Sequence, residues 1–236
     1  MTWPSLICFN LSVLTLAASS ITGKVSVISE PSHAAHLHDC SGIVVWLQPL
    51  DDKPAAVARS SSRIRIRQKN KTFSPHVLVV PVGTTVEFPN DDPIFHNAFS
   101  SYNGQIFDIG LYPPGSTRSI TFRREGVVRV FCNIHAAMSA VIVVVNTPYF
   151  AATGKDGVFQ IEGVPKGPYR LAFYYERATD KTLEGLSRMV VIRNDAEDLG
   201  VTGISEAGYL AIPHMNKYGK PYGPAPDVST YPGTQQ

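Results

Sequence analysis

Residues 132–138 read Cys-Asn-Ile-His-Ala-Ala-Met, and this stretch decides how the rest of the chain is interpreted. It places a thiol, an imidazole and a thioether on one short loop, and His96 lies upstream. Two imidazoles, one thiolate and one weak thioether form the ligand set of a blue-copper electron-transfer site, because soft sulfur suits Cu(I) and imidazole suits Cu(II). The sequence therefore predicts one type 1 copper ion bound by His96, Cys132, His135 and Met138.

Each of these side chains also has an ordinary structural role available. A cysteine can be a small buried apolar residue, a methionine can fill a core, and a histidine can be a hydrogen-bonded polar residue. All four ligand types in one ordered constellation favour a metal. The thioether favours copper over zinc, which more commonly recruits a second cysteine or a carboxylate.

The pattern outside the loop is β throughout. Short alternating or Val-rich runs are separated by Gly, Pro, Asn and Asp, and helical periodicity is nearly absent. So many short strands predict an all-β protein made of sandwiches. The predicted strands are 24–28, 42–50, 63–68, 76–81, 84–89, 97–101, 116–123, 126–131, 140–146, 157–161, 169–176 and 188–193.

Residues 61–147 resemble the cupredoxin family. The resemblance rests on Val-Val-Pro-Val-Gly-Thr-Thr-Val-Glu-Phe at 79–88, on Asn-Asp-Asp at 90–92 before His96-Asn97, and on Phe131-Cys132 opening the loop. The Cys-x2-His-x2-Met spacing is similar to the short loop of amicyanin. At 133–134 the chain has Asn-Ile, where Thr-Pro or a similar pair is common in the family. The resemblance implies a cupredoxin-type Greek-key β-sandwich. Asn97 is expected to brace the loop near Cys132.

A second, smaller sandwich is suggested by the flanking segments. Gly-Lys-Asp-Gly-Val-Phe at 154–159 and the Gly- and Pro-rich stretch at 163–171 resemble a carboxypeptidase-regulatory-like (transthyretin-like) domain. Its first strands would lie within residues 23–50, which would then pair with residues 148–205 around an inserted cupredoxin unit. Two domains in series are the alternative. The whole arrangement resembles bacterial proteins labelled methylamine-utilisation-like, which implies a periplasmic copper protein.

The two ends of the chain are predicted to lie outside these sandwiches. Residues 1–20 are uncharged, apolar from 6 to 18 and end in small residues, which is typical of a signal peptide and predicts a periplasmic or secreted protein. The segment lacks Lys and Arg near its start, so a misplaced start codon or a membrane tether stays open. No other stretch has the length of a membrane span. Residues 206–236 are expected to form an extended tail in which His214 and Met215 have no role.

Several function classes find no support in the sequence. A net charge of +2 and a pI near 8.4 do not indicate nucleic-acid binding. Gly-x-Ser-x-Gly, phosphate-loop and His-Glu-x-x-His motifs are absent, so no catalytic residue is assigned and the protein is not expected to be an enzyme. Asp91 and Asp92 are expected to cap the turn before Pro93. The expected partner is an unidentified redox protein, and the chain is expected to be a monomer.

Two rival functions stay open at this point. One is a copper-storage or delivery protein, aided by a cluster of His33, His36 and His38 with Cys40. The other is a metal-free binding module with a Cys40–Cys132 disulfide, which becomes possible if Cys8 leaves with the leader. A basic run is interpreted as one charged face of an edge strand or as a docking patch for an acidic partner. Its residues are Arg59, Arg63, Arg65, Arg67, Lys69 and Lys71.

Overall fold

The computed structural model describes residues 19–28, 39–51, 63–101, 104–211 and 213–223. Over these ranges the chain forms 17 strands and one short helix, which confirms the predicted all-β class. The strands of the first half are β1 (Ser19–Ile28), β2 (Val44–Pro49), β3 (Ile64–Arg65), β4 (Arg67–Lys69), β5 (Thr72–Ser74), β6 (Val77–Pro81), β7 (Thr85–Pro89), β8 (Phe99–Ser100) and β9 (Phe107–Asp108). The second half contains β10 (Thr117–Thr121), β11 (Gly126–Phe131), β12 (Ser139–Val145), β13 (Phe150–Ala152), β14 (Val158–Val164), β15 (Gly167–Tyr174), α1 (Asp180–Leu186), β16 (Arg188–Ile192) and β17 (Ala196–Ser205).

The first sandwich is built from strands β3 to β12. One sheet has the strand order β10-β7-β3, the other has the order β6-β12-β11-β8-β9, and β4 and β5 form a separate hairpin. Strand β12 is buried along almost its whole length, because both faces of its sheet are covered. Ala140, Ile142 and Val144 face the core of this sandwich, which also contains Cys132 and Met138.

The second sandwich draws its strands from both sides of the first. Strand β1 pairs with β14 in antiparallel and with β17 in parallel orientation, and β2 pairs with β13 and β15. The resulting sheets have the orders β14-β1-β17 and β13-β2-β15-β16. The chain therefore leaves this sandwich after β2, builds the first sandwich, and returns at β13.

The two sandwiches pack against each other through a separate apolar cluster. Its members come from β2, β12 and β15, and they are Val44, Val141, Val143, Val145 and Tyr174. Beside this cluster, Nε2 of His76 lies 2.6 Å from a carboxylate oxygen of Glu176. The outer face of β12 thus anchors the first sandwich on the second, while its inner face fills the first core.

Some elements differ from the sequence prediction. Ser19 and Ser20 belong to β1, so the predicted leader boundary at residue 20 falls inside a strand, whereas residues 1–18 lie outside the described part of the chain. Strand β17 was not predicted, because more than half of its residues are polar or glycine and its outer end is exposed. Helix α1 was also missed: it buries no residue, so it has no apolar periodicity, and Thr179 caps it by accepting from the N–H of Thr182.

Candidate metal centre

The two parts of the predicted constellation meet at one end of the first sandwich. His96 lies between β7 and β8, where its backbone exchanges two hydrogen bonds with the buried Tyr112 at 2.9 and 3.2 Å. Cys132 follows directly on β11, and the ligand loop, residues 132–138, ends where β12 begins. The loop is closed internally, because Cys132 N–H donates to Met138 O at 3.2 Å and Met138 N–H donates to His135 O at 3.0 Å.

Three of the four predicted ligands bring their donor atoms together. Nδ1 of His96 lies 3.8 Å from Sγ of Cys132, and Nδ1 of His135 lies 3.7 Å from the same sulfur. All three ligand atoms lie within 4.8 Å of one another. His96 and Cys132 are fully buried, and His135 is partly accessible. Met138 is buried in the same core cluster as Cys132, and its axial contact with a metal stays a prediction.

Asp92 fixes the orientation of the His96 ring. Its Oδ2 lies 2.8 Å from Nε2 of His96, on the side of the ring that faces away from Cys132. The carboxylate also accepts backbone N–H groups of Asn70 and Lys71 at 2.6 and 2.8 Å. A carboxylate that holds one ring nitrogen directs the other nitrogen at the metal position, which is a common arrangement around metal-binding histidines.

The expectation that Asp91 and Asp92 cap the turn before Pro93 is wrong. Asn90 makes the turn contact instead, because its Oδ1 accepts the N–H of Asp92 at 3.1 Å. Asp91 forms an exposed ion pair with Arg67 at 2.7 Å. Asp92 does not cap the turn because its nearly buried carboxylate accepts hydrogen bonds from the backbone of the β4–β5 turn and from His96 instead.

The predicted brace at Asn97 is confirmed. Its side-chain Oδ1 accepts the N–H of Asn133 at 2.6 Å, one residue beyond Cys132. The ligand loop is therefore tied to the segment that carries His96, so that the two sources of ligands are held in a fixed relation.

The site favours a thiolate. Burial raises the pKa of the Cys132 thiol, but hydrogen bonds from His135 and His96 and from the backbone N–H groups of Asn97 and Ile134 lower this pKa to about 5. Burial lowers the pKa of His96, whereas its hydrogen bonds to the thiolate and to Asp92 raise it, and the net change is upward. The lowered pKa of Cys132 favours the thiolate, which is the form that binds metals.

These donors fit copper. Two imidazole nitrogens directed at one thiolate, with a buried thioether in the same core, match the His2Cys set with a weak Met. A structural zinc site usually has four Cys, His or carboxylate ligands, whereas the group found among the described residues has three and contains no carboxylate. His96, Cys132 and His135 would hold the ion.

The alternative prediction of a Cys40–Cys132 disulfide is wrong. Both cysteines are free and buried. Cys40 packs in the core of the second sandwich, and Cys132 packs in the core of the first. The thiol that the metal site requires is therefore present.

The other predicted features are only partly described. His33, His36 and His38 lie outside the described residues, as does Arg59. Two members of the basic run form ion pairs: Arg65 pairs with Glu87 on the neighbouring strand β7, and Arg67 in β4 pairs with Asp91, which follows β7. His214, to which the sequence assigns no role, lies at the ligand loop, where its Nε2 donates to the Ala136 carbonyl at 2.8 Å.

Comparison with known proteins gives matches among solved structures alone. No protein-family model and no curated protein matches this sequence. A purple cupredoxin from Nitrosopumilus maritimus is 29% identical, with 35% of this chain and 99% of that chain covered and a TM-score of 0.32. A copper-containing nitrite reductase from Thermus scotoductus SA-01 is 26% identical, with 50% and 28% covered and a TM-score of 0.35. A reduced amicyanin variant is 21% identical, with 43% and 98% covered and a TM-score of 0.34. The similarity thus involves part of this chain, and the TM-scores are low, so the functional proposal rests on the site itself.

Proposed function

We propose that this chain is a type 1 copper protein that carries single electrons between redox partner proteins. The observation that carries the proposal is the convergence of His96 Nδ1, Cys132 Sγ and His135 Nδ1 within 4.8 Å in a largely buried site. The lowered pKa of Cys132 supports it, because a thiolate is ready to bind at neutral pH. Copper in such a site supplies a reversible one-electron change.

The surrounding residues suit electron transfer because they hold the ligands in place. Asp92 orients His96, Asn97 fixes Asn133, and the hydrogen bonds between Cys132, His135 and Met138 close the loop. Imidazole nitrogen suits Cu(II) and sulfur suits Cu(I), so this mixed donor set can bind both oxidation states. Ligands that are held in place then move little when the ion gains or loses an electron, and this makes electron transfer fast.

Electron carriage is also proposed in preference to catalysis. With Met138 as fourth ligand, no coordination position would be open for a substrate, whereas catalytic metal centres keep one open. In each transfer a reduced donor protein would lose one electron and an oxidised acceptor would gain it, with no bond made or broken. His135 is the most accessible of the three converging ligands, so the partners would approach from its side.

The proposed location is the periplasm, or another exported compartment, on the strength of the leader predicted at residues 1–20. Within the described ranges, no helix has the length and apolar character needed to cross a membrane.

Protein-film voltammetry on the copper-loaded full chain tests this proposal against storage or delivery. An electron carrier is expected to give a reversible one-electron wave and to retain its copper in both oxidation states. The matched control is Cys132→Ser, which keeps a polar side chain but removes the sulfur and should abolish the wave. Transfer of Cu(I) to a competing chelator, without a reversible wave, would contradict the proposal and favour copper delivery.

A further inference from the structure

The chain returns to the metal centre after both sandwiches are complete. Residues 213–223, here called the C-terminal strap, lie along the ligand loop. Nε2 of His214 donates to Ala136 O at 2.8 Å, and the Tyr222 hydroxyl donates to Cys132 O at 2.8 Å. These are contacts to the backbone of the loop, so they act on its conformation.

The strap also holds the side chain that follows the first loop ligand. Lys217 N–H donates to Asn133 Oδ1 at 3.0 Å, while the backbone N–H of Asn133 donates to Asn97. Asn133 is therefore held from two sides, by the His96 segment and by the strap. The loop has no proline at 133–134 to fix its backbone dihedral angles, so these hydrogen bonds supply the restriction instead.

The strap itself is held in position by aromatic contacts and one ion pair. The His214 ring stacks on Phe131, with centroids 3.9 Å apart and planes 24° from parallel, and the Tyr222 ring meets His214 edge-on at 5.1 Å. Phe131 is only 5% exposed. Nζ of Lys217 lies 2.8 Å from Asp108 in β9. The stacked ring and the ion pair attach this segment to β11 and β9, and the edge-on contact joins its two ends to each other.

We propose that the C-terminal strap holds the ligand loop in its metal-binding conformation before any metal binds, with His214 and Tyr222 as positioning residues. They act through the carbonyl groups of Ala136 and Cys132, and they limit the conformations that the loop can adopt. The effect on copper rests on the proposed function, whereas the effect on the loop concerns the metal-free protein as well.

Amide hydrogen exchange of the metal-free full-length protein tests the strap directly. Tyr222→Phe keeps the ring and removes the hydroxyl donor, and it is expected to speed exchange of peptides covering 131–138 about fivefold, the change that loss of one net hydrogen bond of about 1 kcal/mol produces. His214→Phe keeps the stacked ring on Phe131, loses the bond to Ala136, and should act in the same direction. Tyr218→Phe is the matched control: Tyr218 lies in the strap with 69% of its surface exposed, and its ring contact with Lys217 survives the change.

The reduction potential of the copper-loaded protein is the second measurement. Tyr222→Phe is expected to shift the potential and to speed copper loss to a chelator, whereas Tyr218→Phe should change neither. Loop exchange that is unchanged in both Tyr222→Phe and His214→Phe would overturn the proposal. Faster exchange spread equally over β6 and β12 would also contradict it, because it would indicate a general loss of stability. A wild-type protein that binds no copper, but whose loop still loosens in Tyr222→Phe, would refute the proposed function and leave the strap intact.

Discussion

Replacing Asp92 by Asn is the sharpest test of how the site is held together. Asp92 is 6% exposed and receives three N–H groups: Nε2 of His96 and the backbone N–H of Lys71 at Oδ2, and the backbone N–H of Asn70 at Oδ1. A carboxamide is nearly the same size as a carboxylate, but it has one acceptor oxygen. Whichever way it is turned, its NH2 group faces at least one of the three donors.

The expected cost follows from this count. A buried donor that loses its partner costs about 1–3 kcal/mol, so Asp92→Asn should lower the free energy of unfolding of the metal-free protein by about 2 kcal/mol. The matched control is Asp91→Asn. Asp91 pairs with Arg67, whose side chain is 60% exposed, and exposed pairs contribute about 1 kcal/mol or less.

Urea denaturation of the full chain measures both variants. The midpoint should fall in Asp92→Asn, and the dependence on denaturant should stay unchanged, since the same surface is exposed on unfolding. Equal free energies of unfolding for the two variants would refute the assignment of Asp92 as the acceptor that organises His96 and the β4–β5 turn.

Two further predictions concern the contact between the sandwiches and the axial ligand. The hydrogen bond that His76 donates to Glu176 raises the pKa of His76. Burial raises the pKa of Glu176, but the contacts of this carboxylate with His76 and Arg129 outweigh burial, and the net change is downward. The stabilisation from His76 is therefore complete below its ordinary pKa of 6.5 and is lost as the pH rises through its raised value, so Glu176→Gln should cost more at pH 6 than at pH 9. Because His76 is about half exposed, the difference should stay below about 1 kcal/mol, and urea titrations at the two pH values that show equal costs would contradict the pairing. Met138→Leu should keep the thiolate-to-copper colour and raise the reduction potential, because a weak axial thioether tunes the potential without making the coloured bond; loss of the colour in its optical spectrum would exclude an axial role for Met138.

Local sequence patterns predicted the group formed by His96, Cys132 and His135 because these patterns are short. Cys132, His135 and Met138 lie on one loop between two strongly apolar strands, so their proximity follows from chain connectivity. Asn97 was predicted because it adjoins His96. Strands β6, β11 and β12 of the first sandwich are likewise signalled by alternating and Val-rich runs.

Contacts between distant segments could not be predicted in the same way. His214 and Tyr222 reach the loop through backbone carbonyl groups, which no side-chain pattern marks. The sequence predicts only a local turn role for Asp92. The hydrogen bonds that its carboxylate accepts from the β4–β5 turn and from His96 form through tertiary packing, which a local pattern does not reveal. Strand β17 pairs in parallel with β1, although most of the sequence separates the two strands. Its polar residues give it no hydrophobic pattern from which it could be predicted.

We propose that His96, Cys132 and His135 hold a type 1 copper ion. Optical and electron-paramagnetic-resonance spectra of the full-length protein after Cu(II) addition and desalting test it most directly. We expect an intense thiolate-to-copper charge-transfer band and a narrow copper hyperfine splitting, both absent from Cys132→Ser. A colourless product, or a spectrum that is the same in wild type and in Cys132→Ser, would contradict the claim.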